Sequence, residues 1–169
     1  MAILHIGIIL IGTLLALSVV YITSFRGELP PEAIIKVMEI DKQSITKEQL
    51  IKNIYIFVNQ SYKSPIRQYL KEPNKIFIKD INKIWQHQGE YMPSNAQNEI
   101  AKQMLIATNR FKESDFTEKQ LFCEISPHNA LFVKANDKEY VLDLWFADNN
   151  GEFNCYTQNP CGIKKICLS

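Results

Sequence analysis

From Ala2 to Phe25 the chain reads AILHIGIILIGTLLALSVVYITSF, without a single Asp, Glu, Lys or Arg. No other stretch restricts so strongly what the chain can become. About 20 consecutive apolar residues are what a helix needs to cross about 30 Å of hydrocarbon. A helix lying on a globular core would carry a polar stripe, and none runs through these turns. A cleaved signal peptide is the rival reading, but no Lys or Arg precedes the run and no convincing small-x-small site follows it. The expectation is an uncleaved, single-pass transmembrane helix over residues 1–25, with the membrane as a partner. Arg26 and Lys36 follow the run, diluted by Glu28, Glu32 and Glu39. The orientation expected is N-terminus inside, with an extracytoplasmic domain in the periplasm or outside the cell. Pro30 and Pro31 cannot continue a hydrogen-bonded helix, so residues 26–31 read as a linker and 32–169 as the domain.

The 169 residues carry 19 basic and 18 acidic side chains, a formal net charge of +1. A nucleic-acid partner normally leaves a basic surplus, so that class is set aside. At 46% hydrophobic residues the chain has enough apolar surface for one core of ordinary size. No repeat or low-complexity run is visible.

The first half of the domain reads helical. Thr46 and Gln49 have the spacing of a capping box, followed by Leu50, Ile51, Ile54, Phe57 and Val58 on one helical face. Ser64-Pro65 marks a second helix through Ile66, Tyr69 and Leu70, interrupted by Pro73. Phe77, Ile81, Ile84 and Trp85 give a third apolar face that ends near Gly89. Ser94 and Gln97 repeat the capping-box spacing and open a further helix, with Ile100, Met104, Leu105 and Ala107 turned inward. After Phe111 the pattern shortens to KQLFCEI, NALFVKAN and EYVLDLWF. These are β-rich runs parted by turn residues, with Asn136-Asp137 between the last two and Asn150-Gly151 beyond them. Helices first and antiparallel strands second is an α+β pattern.

Asp143 lies inside VLDLWF, where a charge is expensive to bury without a partner. With Asn136 and Asp137 at the centre of the turn, Ala130 faces Asp143 and His128 faces Trp145. His128 and Asp143 then share one sheet face, two positions apart on the diagonal and within side-chain reach. A carboxylate against an imidazole fixes its tautomer and stabilises its charged form, the arrangement by which acyl-transfer enzymes activate a nucleophile. A helix N-terminus is the favoured seat for that nucleophile, because the dipole and the free amides stabilise negative charge there. Ser94 opens such a helix, 34 residues before His128.

The helix MPSNAQNEIAKQMLIATNRF, the strand SPHNALFVKA and the strand KEYVLDLW, in that order, resemble the transglutaminase-like branch of the papain-like fold. The resemblance covers Trp85 to Phe146. In that family a Cys begins the core helix, a His opens a following strand and an Asp lies on the next. The 15-residue interval from His128 to Asp143 and the aromatic residue after the Asp both match. The resemblance implies a helical half packed on a small antiparallel sheet. It also implies a peptide- or amide-bond hydrolase or acyltransferase that acts on a protein or peptide and needs no metal or cofactor. Ser94 would be the nucleophile, His128 the general base, Asp143 the orienting group and Gln88 an oxyanion donor. The departure is Ser94, where the family has Cys. A hydroxyl is far less acidic than a thiol, so a His–Asp pair would not hold it ionised. A natural Ser nucleophile, a degenerate domain that binds without catalysis, and an engineered Cys→Ser change are each compatible with the sequence. The alternative function is thus a non-catalytic binding or assembly subunit.

Taken singly, each of these residues has a plainer reading. Ser94 caps a helix, His128 is a turn histidine after Pro127, and Asp143 bonds backbone amides at a strand irregularity. Cys123, five residues before His128, has hydrophobic neighbours and reads as buried or disulfide-bonded. Cys155, Cys161 and Cys167 are too widely spaced for a zinc site. All four cysteines are disulfide candidates if the domain is extracytoplasmic, and their spacing does not choose a pairing.

Overall fold

Pro31 takes the first helical position of α1 (Pro31–Lys42), where a missing N–H is no loss, and Ala33, Val37 and Ile40 form its buried stripe. The computed structural model describes residues 24–63, 71–122, 127–144, 153–159 and 164–168; at 121, 122, 127, 128, 157–159, 164 and 165 it describes the backbone alone. In α2 (Lys47–Ser61) the Thr46 hydroxyl accepts from the Gln49 N–H at 3.1 Å, and the Gln49 side chain accepts from the Ile45 N–H at 3.0 Å. Leu50, Ile51, Ile54, Tyr55 and Val58 are buried, as helical periodicity requires. A 3₁₀ turn at Pro73–Phe77 leads to α3 (Ile81–Gln86), capped by the Asp80 carboxylate on the Lys83 N–H at 3.0 Å. The fourth helix, α4, spans Ser94–Ala107.

Three strands follow, β1 (Phe116–Phe122), β2 (Pro127–Ala135) and β3 (Lys138–Leu142), in one antiparallel sheet with β2 in the middle. Asn136 and Asp137 turn the chain between β2 and β3 with φ of 50° and 62°. Two consecutive positive φ values match the twist of a tight hairpin, and Asn and Asp tolerate them. The resulting register pairs Leu131 with Leu142 and Phe132 with Val141, as the position of the turn implies. A second hairpin, β4 (Cys155–Asn159) and β5 (Lys164–Cys167), completes the described strands.

The core has two parts because the sheet is covered on both faces. Leu131, Val133, Ala135, Tyr140 and Leu142 pack with the four helices, whereas Ala130, Phe132 and Val141 pack with Tyr156 and Leu168 of the second hairpin. Asn154 fixes that hairpin to the edge of the sheet. Its carboxamide accepts from the Val141 N–H at 2.9 Å and donates to the Leu168 carbonyl at 2.7 Å.

Several expectations need correction or limitation. Among the described residues no helix is long and apolar enough to cross a membrane. The longest of the helices above, α2, has 15 residues, spans about 22 Å, and carries Lys47, Glu48 and Lys52. The α+β class and the small antiparallel sheet stand; the transmembrane part of the expected fold does not, and residues 1–23, on which it rested, lie outside the described residues. The stretch read as a linker is fastened to the domain. The Arg26 N–H donates to the Lys79 carbonyl at 2.9 Å, the Ile81 N–H donates to the Arg26 carbonyl at 3.0 Å, and Phe25 and Leu29 pack on the core. The helix expected from Ser64-Pro65 also lies outside the described residues. Cys155 and Cys167 form a disulfide across β4 and β5; Cys123 and Cys161 fall outside the described residues.

Leu131 is wholly buried between the sheet and the helices. Leu131→Ala should lower unfolding free energy by about 2–5 kcal/mol in a denaturant titration, through lost transfer energy and a residual cavity. The disulfide closes a loop with a sequence separation of 12. Its removal by Cys155→Ser with Cys167→Ser should destabilise by about 2–4 kcal/mol, read as a lowered Tm relative to the oxidised parent.

Candidate functional site at the buried start of helix α4

Helix starts usually lie at the surface, where water satisfies their free N–H groups. In α4 every residue from Ser94 to Ala101 is buried. The preceding segment explains this placement, because it is sewn beside the end of α2. The Gly89 N–H donates to the Ser61 carbonyl at 2.7 Å, the Lys63 N–H to the Glu90 carbonyl at 2.9 Å, and the Met92 N–H to the Lys63 carbonyl at 3.0 Å. Gly89 supplies a φ of 84° at the preceding turn, a value that glycine adopts without strain.

The expected capping box at Ser94 does not form. Pro93 is the N-cap, with φ −64° and ψ 150°, and its carbonyl accepts from the Ala96 and Gln97 N–H groups at 2.9 and 3.2 Å. The Asn95 carboxamide also accepts from the Ala96 N–H at 2.9 Å. The Gln97 carboxamide donates to the Met92 carbonyl at 2.8 Å, which ties down the chain just before the helix. Ser94 thereby moves to the first helical position, 7% exposed, and its hydroxyl has no hydrogen-bond partner among the described residues. The N–H groups of Ser94 and Asn95 are likewise unclaimed among those residues.

The other two members of the constellation come from the sheet. His128 is the second residue of β2, paired with Leu121 across β1. Asp143 directly follows β3 and is wholly buried, though not without a partner. Extending the observed register by one pair sets Ala130 opposite Asp143. By alternation positions 128 and 143 belong to the same face as Ala130, Phe132 and Val141. Helix α4 packs on the opposite face. Ser94 can therefore approach the other two only around the end of the sheet where β2 begins. One bond lies at that end: the Asn98 carboxamide donates to the Asn129 carbonyl at 2.8 Å. Gln88, the expected oxyanion donor, is exposed on the turn after α3.

Sequence reading missed the polar seam that surrounds Ser94. Asn95, Gln97, Asn98 and Glu99 are buried, as is Asn129 in β2. Asn98 Oδ1, Asn129 Oδ1 and the Tyr62 hydroxyl are buried without hydrogen-bond partners. An orphaned buried polar atom costs about 1–3 kcal/mol. Burial also pushes the Tyr62 phenol far above its ordinary value. Glu99 is compensated: its carboxylate pairs with Lys102 at 2.9 Å and accepts from the Gln103 carboxamide at 2.8 Å. The available signal was the spacing of Ser94 and Asn98, four residues apart and hence on one helical face. A depression of about 360 Å³ at the other end of β2, lined by Lys47, Asp115, Lys134 and Glu139 among others, contains none of the expected site residues. Among the described residues no group of three or more His, Cys, Asp or Glu could hold a metal ion.

The approach to α4 is held by an ionic cluster. Lys75, 6% exposed, pairs with Glu72 at 2.7 Å and with Glu90. Burial alone would lower the Lys75 ammonium, but the two carboxylates more than offset it and raise it above its ordinary value. Glu90 pairs in addition with His87 Nδ1 at 2.9 Å. Hydrogen bonds from Lys75 and then His87 hold the Glu90 carboxyl below its ordinary value of 4.5. A carboxyl depressed on folding contributes stability above its unfolded value, and that contribution is lost as pH falls through the folded one. Stability should therefore decline as pH drops below about 4.5, and Glu90→Gln should flatten that limb in acid titrations followed by circular dichroism. The change should be small, because Glu90 is exposed and solvent screens it.

No protein-family model, no curated protein and no solved structure matches this chain.

Proposed function

We propose that the domain is a transglutaminase-like hydrolase or acyltransferase for a peptide or amide bond, with Ser94 as nucleophile, His128 as general base and Asp143 as orienting carboxylate. The observation that carries this reading is the freedom of the Ser94 hydroxyl. The plain explanation of that serine was a helix cap, and Pro93 and Asn95 do the capping instead. The shared face of positions 128 and 143 supports the reading, and so does the complete burial of Asp143. In the reaction Ser94 Oγ would attack the acyl carbon while its proton passes to His128. The C–N bond would then break, the amine leaving with that proton, to give an acyl-serine ester. Water would release the acid, or a second amine would take the acyl group, and Oγ would regain a proton. The unclaimed N–H groups of Ser94 and Asn95 would serve as oxyanion donors. The disulfide supports an oxidising, extracytoplasmic setting for the domain.

A second reading, a non-catalytic module that binds a protein or peptide through the same fold, is favoured by one observation. The Ser94 hydroxyl makes no hydrogen bond to a described residue, so none of them activates it. A fluorophosphonate probe separates the two. The enzyme reading expects labelling of Ser94 that Ser94→Ala abolishes and His128→Ala reduces at least about 100-fold. Unlabelled wild type alongside a Ser94→Cys variant that takes a thiol-reactive acyl probe would favour the binding module. A folded protein unlabelled in both forms would remove the nucleophile reading altogether.

A further inference from the structure

We infer that Asn98 is a positioning residue that fixes the backbone at the opening of β2, the strand that carries His128, relative to the helix carrying Ser94. This rests on the reading of Ser94, His128 and Asp143 as one site. Asn98 lies four residues after Ser94, one turn further along the same side of α4. Its side chain is fully buried, and its Nδ2 donates at 2.8 Å to the carbonyl of Asn129, the residue that follows His128. The buried apolar residues of α4, Ala96, Ile100, Ala101, Met104 and Leu105, belong to the core it shares with the other helices and the sheet. Apolar packing holds two layers together but is not directional, so it fixes the height of a strand end only loosely. A hydrogen bond from a rigid helix to one backbone carbonyl supplies the missing restraint at the residue beside His128. Reacting groups need placement within a fraction of an ångström, which makes this restraint consequential.

A second observation points the same way. Asn98 Oδ1 is buried with no partner, and Asn129 Oδ1 is too. A leucine at 98 would extend the apolar stripe of α4 and remove the orphaned acceptor, so packing alone does not favour the asparagine. The amide is explained by the bond that its other end makes.

The test uses Ser94→Cys as a reporter and iodoacetamide as the probe, with alkylation read by mass on the peptide containing position 94. A thiol coupled to His128 is held as thiolate and reacts readily at about pH 6, where an uncoupled thiol with an ordinary value near 8.5 does not. Adding Asn98→Leu should lower the rate at about pH 6 at least tenfold. The rate at about pH 9, where the uncoupled thiol is itself mostly ionised, should be unchanged. A purely structural role for Asn98 would change the Tm alone and leave the pH profile as it is. Asn98→Ala is the second variant should leucine prevent folding. An unchanged pH profile in a folded Asn98 variant would overturn the inference. If Ser94→Cys and Ser94→Cys with His128→Ala already react alike at about pH 6, the underlying site reading fails first, and Asn98 has no pair to position.

Discussion

From Asn129 to Val133 strand β2 is buried on both faces, and this double burial organises the domain. An antiparallel sheet commonly leaves one face to water, which gives its strands alternating polar residues. NALFV does not alternate, and both of its faces are covered by other parts of the chain. One face takes the helices, the other the disulfide-closed hairpin of β4 and β5. Each covering layer is needed because its removal would expose a row of leucine, valine or phenylalanine, each worth about 1.5–3 kcal/mol when buried.

Burying β2 in this way also sinks the start of α4. The segment from Gly89 to Met92 runs beside the end of α2, so the helix begins inside the molecule. Its first turn is therefore made of polar residues that must be satisfied by protein groups. Pro93, Asn95 and Gln97 satisfy most of the backbone there. What is left over, the Ser94 hydroxyl and two amide N–H groups, sits where the dielectric is low and the helix dipole is positive. Such a place favours negative charge.

Much of the architecture was legible because it depends on local rules. Leu50, Ile51, Ile54 and Val58 recur at helical spacing and are buried together. Asn136 and Asp137 accept positive φ, which places the turn and hence the whole register of β2 on β3. The start of α4 was misread for an equally local reason. Ser-x-x-Gln fits a capping box, but the proline before it has a fixed φ suited to the cap position, and its carbonyl took the amides. The burial of Asn95, Asn98 and Glu99 was not legible, since nothing in their spacing reveals that the helix is covered. The β4 and β5 hairpin went unforeseen because its stability lies in Asn154 reaching the edge of β3 and in a disulfide, both long-range contacts.

By itself the sequence determined that helices come first and antiparallel strands second, the turn between β2 and β3, and the common face of positions 128 and 143, because each follows from periodicity or backbone geometry within a short window. Only the tertiary structure decided that α4 meets the opposite face of the sheet, that Pro93 rather than Ser94 caps it, and that Asn98 reaches β2 beside His128. Periodicity shows that an element has a face to bury; which neighbour covers that face is decided by contacts between distant segments.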